Sequence, residues 1–161
     1  IYNHFESKEA IFSAVIAQYH PFIKLLPAFV NVESTTIERY LRKCTQLVLD
    51  EVDAHPGFLN LFMIEYIEFK GNHAPSILAR LHPDIEAFGK KLRSFQDHVI
   101  DIPSFSLVRV YISMMIGFVV TNVALKDVFT HEEMERSMDI FISTLLHGIV
   151  AGDLQKLKEE K

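Results

Sequence analysis

Apolar residues recur at spacings of three and four along almost the whole chain, and Pro, Gly, Asn and Asp interrupt them. That period belongs to helices with a buried stripe, and no segment shows the strict alternation of a strand. Ser7, with Glu9 in the first turn, opens a first helix with the stripe Ile11, Phe12, Val15, Ile16 and Tyr19. Pro21 and Pro27 bend or end it before residue 30. Thr35-x-x-Glu38 reads as a capping box for a second helix ending near Asp53. Pro56 suits N1 of a third, which carries Phe58, Phe62, Tyr66 and Phe69 and stops at Gly71-Asn72. Ile77, Leu78 and Leu81 predict a short helix, and after Pro83 the stripe Ile85, Phe88, Leu92, Phe95 and Val99 predicts another. Two long helices follow, from about Ser104 to Lys126 and from the capping box Thr130-x-x-Glu133 to about Ala151. The fold class is therefore all-α, with six or seven helices and a charged tail over 153–161.

The 161 residues suffice for one domain with a substantial core, and 49% hydrophobic with 23% charged content is globular. The net charge of −5 argues against a free-standing DNA-binding module, because neutralising phosphates requires basic residues. The charge fits an effector domain whose basic partner lies elsewhere, and equally a protein with no nucleic-acid role. The single Cys44 and the absence of a signal-like start suit the cytoplasm.

Phe105 to Leu125 is almost entirely apolar and long enough to cross a bilayer. Arg109, Thr121 and Asn122 inside it, and the lack of an aromatic belt, favour a buried helix in a protein without a membrane partner. A helix apolar on all sides needs several covering surfaces, and a second copy can supply one. The last helix repeats the hint with Met134, Met138, Phe141, Leu145 and Ile149, beside Gly148. Two such helices from each of two chains would form a four-helix bundle across a two-fold axis. The alternative is that both helices fill the core of one chain.

The first sixteen residues carry the most specific pattern. Tyr2-Asn3-His4-Phe5 is an aromatic-x-His-Phe tetrad, and Ser7-Lys8-Glu9 then opens the apolar helix. This resembles the junction between the DNA-reading helix and the effector domain in the TetR family of bacterial transcriptional regulators. The ending Phe141-x-x-x-Leu145-Leu146-x-Gly148-Ile149 is similar to that family's last helix, whereas Ile1 stands where Leu is usual. The resemblance implies that residues 1–6 are the remnant of a helix-turn-helix domain and 7–152 a ligand-binding and dimerisation domain. It also implies operator DNA as a partner, a homodimer, and a repressor released by a small molecule. Tyr2, His4 and Lys8 would then contact DNA phosphates, which position without reading bases.

The resemblance puts the ligand pocket between the middle helices and the first long one. Phe62, Tyr66, Phe69, Phe88, Phe95, Tyr111, Met115 and Phe118 would supply apolar walls, and Glu65, His98, Arg109 and Asn122 polar anchors. Such a lining implies an apolar or amphipathic effector, although aromatics at helical spacing also serve as plain core. The eight histidines are scattered without ligand spacing, so no metal or other cofactor is expected. No nucleophile elbow, phosphate loop or dinucleotide fingerprint points to an enzyme. A protein-interaction module and an unadvertised helical-bundle enzyme remain as alternatives.

Overall fold

The computed structural model describes residues 5–95 and 102–149. Tyr2, His4, His98, the surroundings of Gly148, the side chain of Ile149, and the tail 153–161 lie outside the described residues. Among the described residues there are seven helices and no strand: α1 (Lys8–Tyr19), α2 (Pro21–Val30), α3 (Ile37–Ala54), α4 (Gly57–Ile67), α5 (Ala74–Arg93), α6 (Ser104–Leu125) and α7 (His131–Ile149).

Local chemistry explains most of the boundaries. Ser7 caps α1 by accepting from the Ala10 N–H at 3.0 Å. Thr130 and Glu133 form the reciprocal capping box before α7: the carboxylate accepts from the Thr130 N–H at 2.8 Å, and the Thr130 hydroxyl accepts from the Glu133 N–H at 3.3 Å. The Thr130 hydroxyl also donates to the carboxylate at 2.9 Å. The bonds from the Thr130 N–H and hydroxyl hold the Glu133 carboxyl below its usual range. Three expectations shift. Pro21 starts α2 as its first residue instead of only breaking α1, because His20 caps the new helix. The cap of α3 is Thr36, one residue after the expected Thr35, since the helix begins at the buried Ile37. Pro83 does not divide α5. Pro83 and Ala79 both face solvent, where water can donate to the Ala79 carbonyl in place of the N–H that Pro83 lacks.

The core gathers around four rings. Phe29 lies 5.3 Å from Phe88 between centroids, Phe88 lies 5.5 Å from Tyr111 and 6.1 Å from Tyr40, and all four are fully buried. The polar tips of the tyrosines are satisfied. Tyr40 donates to the Phe29 carbonyl at 2.7 Å, and the Tyr111 hydroxyl sits 3.2 Å from that of Thr45. Helix α3 touches α2, α4, α6 and α7, while α5 pairs with α2 and α6. The α5–α6 approach is close enough to require Gly89, where an added Cβ would lie 2.5 Å from that of Ser104.

Helix α1 is held lightly. Only its Ile16 is buried, and Val15 and Tyr19 of the expected stripe are exposed. It is attached further by Phe12, stacked 4.2 Å from Phe69, and by a hydrogen bond from Arg80 to the Ala17 carbonyl.

The expected dimer stripe on α7 needs correction. Met138, Phe141 and Leu145 are buried within this one chain, with Phe141 stacked 4.6 Å from Phe118 of α6. Helices α3 and α6 already cover that stripe, and Arg42 of α3 adds ion pairs to Glu135 at 3.0 Å and to Asp139. Met134 is half-buried. Exposed apolar residues remain on both helices: Val110, Met114 and Leu125 on α6 and Ile140 on α7, with Leu125 and Ile140 beside Phe141 in the shallow groove between them.

Candidate ligand cavity

A cavity of about 370 Å³ lies where α2, α4, α5 and α6 meet. Phe22 and Leu26 come from α2, and Phe62, Glu65 and Tyr66 from α4. Helix α5 adds Ala74, Ile77, Leu78, Leu81 and Ile85; α6 adds Phe105, Val108, Arg109, Ile112, Ser113 and Ile116. His20, at the α1–α2 joint, completes the wall. This volume is within the usual range for small-molecule sites, and the lining has their common form of apolar walls with few polar groups.

The polar groups divide into engaged and available. Glu65 is 3% exposed, and both its oxygens are taken by His73: one accepts from the His73 N–H at 2.8 Å, and the other lies 2.7 Å from Nδ1. This pair closes the turn between α4 and α5, where Lys70 and Gly71 adopt φ of 53° and 77°. The left-handed backbone at Gly71 is one that glycine adopts without a Cβ penalty. His20 is buried, and its Nδ1 accepts from the Phe22 N–H at 3.3 Å. Burial pushes its pKa down to about 4, against an opposing pull from Glu65. The ring is therefore neutral at pH 7, with its proton on Nε2. Arg109 sits exposed on the cavity edge, and Ser113 follows it one turn later.

Of the expected pocket residues, Phe62, Glu65, Tyr66 and Arg109 line this cavity. Phe88 and Tyr111 are fully buried core instead, packed against Phe29, with Phe88 also facing Tyr40, and Met115 is fully buried beside Phe22, Phe58 and Phe62. Phe95 is half-buried, 4.8 Å from Tyr40. Phe69 leaves the cavity to stack between Phe12 and His73. Phe118 and Asn122 line a separate shallow groove between α6 and α7, where the Asn122 amide donates to the Phe118 carbonyl at 3.0 Å. Lys8 is exposed on the first turn of α1. His20, Phe22 and the α5 isoleucines were not expected at the site. The signal for His20 was its place before Pro21, as a cap joining two helices.

Among the described residues, no three His, Cys, Asp or Glu side chains stand together as a metal site. Helix α6 is long and apolar enough to cross a membrane by length and composition, with 33% of its apolar window buried in the chain. No protein family, curated protein or solved structure matches this chain.

Proposed function

We propose that this chain is the effector-binding and dimerisation part of a ligand-responsive DNA-binding regulator of the TetR type, acting as a repressor in the cytoplasm. The observation that carries the reading is the apolar cavity, placed beside the helix that follows the junction motif. His20 belongs to both: its N–H bonds to the Ile16 carbonyl at the end of α1, and its ring lines the cavity. The attachments of α1 through Phe12 and Arg80 also reach elements that bound the cavity.

A ligand that fills the space would move the α1–α2 joint and tilt a helix with little else to hold it. In a dimer, recognition helices must stand about one DNA turn apart, roughly 34 Å, so a tilt changes DNA affinity. A coupling of roughly 1–3 kcal/mol suffices for such regulation. The exposed apolar residues of α6 and α7, among them Val110, Met114 and Ile140, support the homodimer through side chains that the chain's own packing leaves uncovered.

A gel-shift titration of the gene's own upstream DNA tests this reading, with the longest gene product and this chain compared at two salt concentrations. The expected result is a salt-sensitive shift by a product that carries a helix-turn-helix, and none by this chain alone. A gene product that adds no such domain, or adds one that leaves the DNA unshifted, would overturn it.

A further inference from the structure

We propose that the cavity takes an amphipathic anion, a carboxylate with an acyl or aryl body, whose apolar part fills the space and whose head lies against Arg109. The proposal rests on reading the cavity as the effector site. It follows from counting which polar groups on the wall still have capacity. Glu65 is the only carboxylate there, and each of its oxygens is already engaged by His73, one by the backbone N–H and the other by Nδ1. A cationic ligand would have to compete with the turn that this pair closes. His20 uses its acceptor nitrogen on the Phe22 N–H and is left with a single donor, Nε2–H. Among the described residues that donor has no protein partner, yet Nε2 is not a buried, unsatisfied atom, so it reaches accessible space.

Arg109 likewise pairs with no carboxylate among the described residues. It stands on the same face of α6 as the Ser113 hydroxyl. The wall therefore offers a guanidinium, an N–H and a hydroxyl, with no open acceptor of comparable strength. A guanidinium fork matches a carboxylate in a bidentate manner, and at an edge screened by apolar walls that match is stronger than in bulk water. The body of the ligand would meet Phe22, Ile77, Leu81 and Ile112, a surface that asks for hydrocarbon.

The test is equilibrium binding of decanoate, decanol and decyltrimethylammonium, each below its micelle concentration, to the chain and to Arg109→Gln, Arg109→Lys and Ile112→Trp. Circular dichroism checks that each variant stays helical. Decanoate should bind about tenfold tighter than decanol, Arg109→Gln should remove that advantage, and Arg109→Lys should restore part of it. Ile112→Trp, which fills the space, should weaken all three probes. If decanol binds as well as decanoate and Arg109→Gln alters neither, the anion assignment is overturned while the cavity reading stands. Preference for decyltrimethylammonium would overturn it in favour of Glu65. If no probe binds, or Ile112→Trp changes nothing, the cavity reading itself fails.

Discussion

The two ends of this bundle are built from similar side chains and are filled differently. Around α2, α3 and α5, the rings of Phe29, Tyr40, Phe88 and Tyr111 occupy the space between helices completely. At the α4 end, Phe62 and Tyr66 are no less aromatic, yet they border an open volume, and Glu65 is the only buried residue of α4. Close packing is the rule in protein interiors, so an unfilled apolar space bounded by four helices is unusual. The difference separates two duties. The filled end carries the stability of the fold, and the open end is the volume proposed above to hold a ligand.

The largest predicted effect contrasts these ends. Phe88→Ala should cost about 3–5 kcal/mol in urea unfolding, the usual range for emptying a buried ring site. Phe62→Ala should cost about 1 kcal/mol or less, since its ring already borders empty space. Equal losses would make the cavity wall ordinary core and erase the distinction.

The pH dependence is next in size. His20 has a folded pKa of about 4, below its ordinary 6.5, so between those values the unfolded chain binds more protons. Its contribution is complete above about pH 6.5 and is lost as pH falls toward 4, on the order of 3 kcal/mol in total. Glu65 faces the ring and opposes the shift. His20→Asn keeps a residue able to cap α2 but removes the titration, so its stability should fall less steeply over that window. Parallel pH profiles for the two proteins would mean that folding leaves the His20 titration unshifted.

The smallest effect on folding is expected at the outer face. Ile140→Glu should yield a monomer in light scattering with little change in unfolding midpoint, because the side chain is 59% exposed. Phe141→Glu should instead unfold the chain by burying a charge. A dimer that survives both Ile140→Glu and Val110→Glu would remove this face as the interface.

Local signals were legible in the sequence. The Ser7 cap, the Thr130–Glu133 box and the start of α6 at Ser104 depend on neighbours within a few residues, and each lies where the spacing predicts. Periodicity also identified the inward stripe of α7 through Met138, Phe141 and Leu145, but a period cannot say which chain covers a stripe. The same limit applies to the cavity. Phe62 and Phe88 both sit on apolar stripes; whether the facing space is filled depends on how four helices meet, which no single spacing records. The passage of α5 through Pro83 was hidden because the outcome depends on solvent reaching the Ala79 carbonyl.

The contrast between the two ends can be tested most directly with methyl-labelled isoleucines followed by NMR during titration with decanol. Shifts should be confined to Ile77, Ile85, Ile112 and Ile116 on the cavity wall, while Ile37 and Ile142 in the filled core stay in place. Shifts spread evenly over both sets, or absent from the wall, would contradict the assignment of the open end as a ligand site.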